Sequence, residues 1–102
     1  RKADNTGFDA AVNLGVGDFP YSLAVGDFNA DGKQDLAVGN LSDDDVSVLL
    51  RKADNTGFDP KVDIAVGDGP FSIAVGDFNG DGRQDLAVAN RNASNVSILE
   101  RV

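Results

Sequence analysis

Asp27-Phe28-Asn29-Ala30-Asp31-Gly32-Lys33-Gln34-Asp35 returns fifty residues later as Asp77-Phe78-Asn79-Gly80-Asp81-Gly82-Arg83-Gln84-Asp85. Both copies read D-x-N-x-D-G-x-x-D. Oxygen-bearing side chains at positions 1, 3 and 5 converge on one cation when the chain curls around it, and glycine at position 6 permits the sharp turn. Position 7 adds a backbone carbonyl, from Lys33 or Arg83, and Asp35 or Asp85 at position 9 closes the set. The flanks are short apolar runs of strand type, Ser22 to Gly26 and Leu36 to Val38. An EF-hand would carry helices there and a glutamate at position 12, where Val38 and Val88 stand instead. The candidate ligands are therefore Asp27, Asn29, Asp31, Lys33 and Asp35, then Asp77, Asn79, Asp81, Arg83 and Asp85, with Lys33 and Arg83 acting through their carbonyls. Hard oxygen donors without nitrogen or sulfur favour Ca²⁺, two ions per chain. A turn without an ion explains one copy, but turn chemistry does not require Asp at positions 1, 5 and 9 with Asn at 3, twice.

Around this motif the whole chain repeats. Residues 1–50 align without gaps on 51–100 with 32 identities, a period that belongs to stacked or circular repeats. Four strand-like runs recur per period: Ser22 to Asp27, Asp35 to Val38, Val46 to Leu50 and Phe8 to Val16, returning at 72–77, 85–88, 96–99 and 58–66. The connections, Asn29 to Gly32, Asn40 to Asp45 and Asp54 to Gly57, are rich in tight-turn residues, which makes consecutive strands antiparallel neighbours. The chain reads as all-β. Leu23 and Val25 point one way, Ala24 and Gly26 the other, so neither face of the inner strand is polar. Large residues on one face and small on the other suit a sheet stacked between copies of itself, as between the blades of a β-propeller.

The blade frame is offset from the repeat. Residues 22–71 form a complete four-stranded blade plus linker, 72–102 supply three strands of a second, and 1–21 hold an orphan fourth strand and linker. Two blades cannot close a ring that typically holds about four to eight. The expected partner is the chain itself, in a cyclic homo-oligomer with a trimer favoured and a tetramer next, the orphan strand completing the Val96 to Leu99 edge of a neighbour. Four blades need a steep wedge, and eight leave a channel that small residues such as Ala24 and Gly26 fill poorly.

Composition removes much else. With 17 acidic against 9 basic side chains the net charge of the 102-residue chain is −8, which argues against nucleic acid and anionic membranes as partners. The acids are 16 Asp and one Glu, a balance that suits turns and metal loops rather than helices. Without Cys or His there are no disulfides, no zinc or heme ligation through those residues and no imidazole base, and the chain is read as no enzyme. Apolar runs of a few residues exclude a membrane-spanning helix. A start at Arg1 without methionine leads to the expectation of a processed or excised piece.

Ala24 to Val38 and Ala74 to Val88 resemble the central strand, loop and strand of the FG-GAP or VCBS repeat family, the calcium-loop blades of integrin α-subunit propellers, bacterial surface proteins and some fungal lectins. The resemblance covers nearly the whole chain. It departs in blade number and in carrying Ala53 to Phe58 where the family has a Gly-rich turn. It implies a structural scaffold or extracellular interaction domain, at the cell surface or outside the cell, with a protein or glycan ligand; a carbohydrate-binding lectin is the alternative. Asp18 and Asp68 before the inner strands are candidates for a cation-binding ring, and more simply turn residues. Asp43 to Asp45 reads as a solvated turn, and Asn40, Asn92 and Asn95 head chance glycosylation triplets. The identity of Arg1 to Asp9 with Arg51 to Asp59 points to recent duplication or to an engineered or reconstructed fragment without a natural ligand.

Overall fold

The structure, a computed structural model, describes residues 7–8, 10–54 and 56–100. All regular structure among them is strand: β1 (Pro20–Gly26), β2 (Asp35–Asn40), β3 (Asp45–Leu49), β4 (Val62–Ala65), β5 (Pro70–Gly76), β6 (Asp85–Asn90) and β7 (Asn95–Leu99). They make two antiparallel sheets, ordered β1-β2-β3-β4 and β5-β6-β7. The pairing of β1 with β2, Leu23 opposite Val38 and Val25 opposite Leu36, is repeated in β5 and β6 by Ile73 opposite Val88 and Val75 opposite Leu86. These are blades of propeller type, in the expected strand sequence.

Strand boundaries shift from the sequence reading, β2 and β6 running on to Asn40 and Asn90 and β3 starting at Asp45, and two of the shifts have a local cause. The inner strands begin at Pro20 and Pro70, two residues early, because a register irregularity after each proline lets the strand start where Pro donates no hydrogen bond. The outer strand is shorter than the run 58–66. Phe58 meets Arg51 in an isolated bridge, and Lys52 N–H to Gly57 O and Asp59 N–H to Leu50 O close that hairpin before β4 begins. Residues 10–16 join no ladder among the described residues, and Asp9 of the expected strand lies outside them.

The sheets pack through unlike faces. Ala24, Ala37, Val46 and Val48 of the first sheet meet Ile73, Val75, Leu86 and Val88 of the second, with Phe28 folded into the seam. Ala24 and Gly26 therefore set the spacing between sheets rather than filling a channel. Gly39 shows how close the approach is: a β-carbon there would lie 2.6 Å from Ser22 Oγ and 3.6 Å from Ile73 Cδ1. Among the described residues, the opposite face of each sheet has no second sheet on it. On the first, Leu23 is 61% and Val25 52% exposed; on the second, Val96 is 60% and Ile98 50% exposed.

Within each sheet a buried amide braces the strands. Asn40 Nδ2 donates to Asp45 Oδ1 and Ser47 Oγ, both at 2.8 Å, and Ser47 Oγ donates to Asp63 Oδ1 at 2.7 Å. Asp63 also pairs with the Lys61 ammonium, which with the Ser47 hydroxyl holds its carboxyl below the usual carboxylate range. In the second sheet Asn90 Nδ2 reaches Asn95 Oδ1 and Ser97 Oγ at 2.9 and 2.7 Å. Asn40 is fully buried, so its glycosylation triplet is closed off in the folded chain.

Candidate metal sites

Each nine-residue loop links the inner strand of a sheet to the next strand, β1 to β2 and β5 to β6. In the first, carboxylate oxygens of Asp27, Asp31 and Asp35 all lie within 4.8 Å of one another, and Asp77, Asp81 and Asp85 repeat the arrangement. The backbone winds tightly to achieve this. Ala30 (φ 61°) and Gly32 (φ 82°) both turn left-handed, as do Gly80 (φ 75°) and Gly82 (φ 85°). Lys33 and Arg83 follow these bends at position 7.

The turn carries its N–H groups onto the carboxylates. Asp31 N–H and Gly32 N–H donate to Asp27 Oδ1 and Oδ2 at 3.1 and 2.7 Å, and Lys33 N–H to Asp31 Oδ1 at 2.9 Å. In the second loop Gly80 and Asp81 donate to Asp77 Oδ1 at 2.9 and 3.1 Å, Gly82 to Asp77 Oδ2 at 2.8 Å, and Arg83 to Asp81 Oδ1 at 2.9 Å. Desolvation pushes the Asp27 carboxyl up, but the Gly32, Asp31 and Ala30 N–H groups outweigh it and hold the group below its ordinary value. Asp27 is thus kept ionised and aimed inward.

Position 9 forms the floor. Asp35 is 0% and Asp85 1% exposed. Asp35 Oδ2 accepts from Phe28 N–H at 3.0 Å and Oδ1 from Arg51 N–H at 2.7 Å; Asp85 Oδ2 accepts from Phe78 N–H at 3.1 Å. A buried carboxylate needs such donors, and gains further from a cation beside it.

Position 3 tests the fit to a cation. Asn29 Oδ1 sits 2.9 Å from Asp31 Oδ1 and 3.1 Å from Asp27 Oδ1, acceptor facing acceptor. Two arrangements satisfy that triangle. The amide turns over so that its NH2 donates to both carboxylates, or a cation lies among the three oxygens. Asn79 is less constrained, its Oδ1 accepting from Asp81 N–H at 3.3 Å. All these donors are hard oxygens, and they suit a calcium-type ion.

Several contacts escaped the sequence reading. Asp43 to Asp45 is a bonding hub: Asp43 Oδ2 accepts from Asp18 N–H at 2.7 Å, Asp44 Oδ1 from Gly69 N–H at 2.9 Å across the seam, and Asp45 from Asn40. Its one sequence signal was that the second half carries Ala93-Ser94-Asn95 instead. Asp18 and Asp68 are exposed turn residues whose carbonyls accept from Ser42 and Asn92. Asp27 N–H donates to Gln84 Oε1 at 2.9 Å, a bond from one loop to the other that no spacing rule announces.

The FG-GAP-like repeat family matches residues 27–88, from the first residue of one loop into the strand that follows the other. The match spans more than half of the chain, and the chain belongs to that family. No curated protein and no solved structure matches it.

Proposed function

We propose that this FG-GAP-like repeat chain is a non-catalytic, calcium-stabilised propeller module that closes into a ring with copies of itself and works as a structural scaffold or extracellular interaction domain. The observation that carries the reading is the seam between the two sheets. It seats the large face of the second sheet on the small face of the first, and the chain ends in one unmatched face of each kind. By the fifty-residue repeat, Leu23, Val25, Leu36 and Val38 are the counterparts of Ile73, Val75, Leu86 and Val88. Ala74, Val96 and Ile98 are likewise the counterparts of Ala24, Val46 and Val48. A second copy supplies what each end lacks, and head-to-tail contacts of this kind close by rotation. Trimer is the favoured size, since four blades require a steep wedge, and tetramer comes next.

The orphan segment supports the same reading. Val12, Leu14 and Val16 line a cavity of about 410 Å³ with Leu23, Leu36, Val38 and Leu49, on the face where a neighbour's second sheet would dock. Among the described residues β7 is an unpaired edge. Transferring the β3–β4 register, in which Ser47 faces Asp63 and Val48 faces Val62, sets Asn13 opposite Ser97 and Val12 opposite Ile98 of the neighbour. Asn13 would then accept from the Ser97 hydroxyl as Asp63 does from Ser47.

The calcium reading is supported by the converging carboxylates of Asp27, Asp31 and Asp35, with the Asn29 amide beside them, and of Asp77, Asp81 and Asp85; Asn79 and the carbonyls of Lys33 and Arg83 would complete the two sets. Bound there, the ion offsets two of the three negative charges in each loop and ties each inner strand to its neighbour. With those acids assigned, no nucleophile paired with a base stands out among the described residues. Native mass spectrometry tests the whole reading: a multimer carrying two Ca²⁺ per chain is expected in calcium, and a metal-free monomer there refutes it.

One observation favours a second reading, glycan binding. Phe19, 56% exposed, stacks 6.2 Å from Tyr21, 50% exposed, which lies 4.6 Å from the Phe71 ring. Such a stripe can carry sugar rings. Glycan-array binding with and without chelator decides it.

A further inference from the structure

Gln84 lies between Arg83 and Asp85, two ligand positions of the second loop, yet its side chain serves the first. Its Oε1 accepts the Asp27 N–H at 2.9 Å. The approach needs glycine beside it: a β-carbon on Gly26 would fall 2.7 Å from Gln84 Oε1 and 3.1 Å from Val75 Cγ1. The Gln84 stem packs with Phe28, Val48, Ile64 and Leu86 around a small void of about 60 Å³ in the seam. One end of this side chain is thus fixed by the second loop's backbone, and the other end holds the residue that opens the first.

The equivalent pair at the ends of the chain is open. Gln34 is exposed and makes no hydrogen bond among the described residues, and Asp77 N–H has no acceptor there. Asp77 is itself exposed, whereas Asp27 is half-buried.

We propose that Gln84 is a positioning residue that couples the two metal loops, so that filling the second loop raises the affinity of the first. The inference rests on the calcium reading. Ordering of the second loop fixes the backbone at Gln84, the amide oxygen then holds Asp27 N–H, and the Asp27 carboxylate is preset for its ion. By linkage the first ion helps the second to the same degree. One hydrogen bond of ordinary strength corresponds to about a three- to tenfold change in affinity.

The test is a Ca²⁺ titration of the full chain followed by NMR at the Gly32 and Gly82 amides, each of which donates to the first carboxylate of its own loop. Asp81→Ala disables the second loop. It is expected to weaken the Gly32 response about three- to tenfold in the otherwise native chain. In a Gln84→Met background, where the side chain keeps its length but loses its acceptor, Asp81→Ala is expected to leave the Gly32 midpoint where Gln84→Met alone put it. Gln84→Glu, which retains an acceptor oxygen, restores the Asp81→Ala effect. Equal shifts with and without Gln84, or no shift in either, overturn the coupling while two bound ions leave the calcium reading standing. No response of either glycine in the native chain overturns both.

Discussion

Asp44 Oδ1 accepts the Gly69 N–H at 2.9 Å and so pins the β2–β3 turn of the first sheet to the strand entry of the second. At the free end, Ser94 and Phe19 occupy the corresponding positions, so the repeat has kept the apolar seam and changed the polar clasp. Asp44→Ala is expected to cost about 0.5–1.5 kcal/mol, the usual net worth of one hydrogen bond, measured by urea unfolding. An unchanged midpoint would show the clasp to be ornamental.

Metal stoichiometry follows the loops. Asp31→Ala and Asp81→Ala are each expected to remove one of two calcium ions in isothermal titration. Chelation should lower the melting temperature of the native chain, because an ion that binds only the folded loops adds about 2.7 kcal/mol at a hundredfold excess over Kd. Retention of two ions by either variant refutes the ligand assignment.

Equivalent substitutions at the two apolar faces should part company. Ile73→Asp places an unpaired carboxylate in the seam, at a cost of several kcal/mol, and is expected to unfold the chain at low urea. Leu23→Asp alters a residue 61% exposed in the single chain. It is expected to leave the strands intact and give a monomer in light scattering. A ring that survives Leu23→Asp would place the junction elsewhere.

Strand register at the junction is open to cross-linking. Val12→Cys with Ile98→Cys is expected to form disulfides between chains under mild oxidation, since cysteines bridge only when their α-carbons approach within about 7 Å. Shifting one partner to Asn13→Cys should abolish the product. Equal yield from both pairs means the segment has no fixed register.

Acid should loosen the first sheet through Asp63. Its carboxyl is held low by the Lys61 ammonium and then by the Ser47 hydroxyl, so its stabilising share is present above the ordinary carboxylate value and is lost as pH falls through the lowered one. The Lys61 ammonium is raised by the same bond; its share is present below the ordinary lysine value and is lost as pH climbs through the raised one. Between those limits the pair contributes evenly. Denaturation from pH 7 to pH 2.5 should show a smaller loss for Asp63→Asn than for the native chain.

The loops and sheets were readable in advance because both are written as local periodicities. Asp27, Asp31 and Asp35 declare a curled loop by spacing alone, and Leu23 against Ala24 declares two unlike faces by alternation. What lay beyond reach depends on distance in three dimensions. Gln84 touches Asp27 across 57 residues, and nothing in either neighbourhood marks the pair. Asp44 reads as an ordinary turn acid until Gly69 is brought beside it. Ala24 and Gly26 were legible as the small face of a stacked sheet, but that Ile73 and Val75 are what they seat appears only once the second sheet is in place. The run from Phe58 to Val66 has strand composition throughout, but the hairpin at Arg51 and Phe58 takes its first residues, a choice made by competing backbone bonds.

The seat that Ile73 and Val75 find on the first sheet is reached through a linker of four residues between β4 and β5. The two surfaces therefore meet at an effective concentration fixed by the chain, on the order of millimolar for a short tether. Leu23 and Val25 offer the same chemistry to a partner that must arrive by diffusion. In the proposed ring one contact is thus indifferent to dilution, while its twin obeys mass action. Diluting the protein would open every second seam and leave the others shut, so the number of subunits, and with it any surface spanning a junction, becomes a readout of how much of the protein is present.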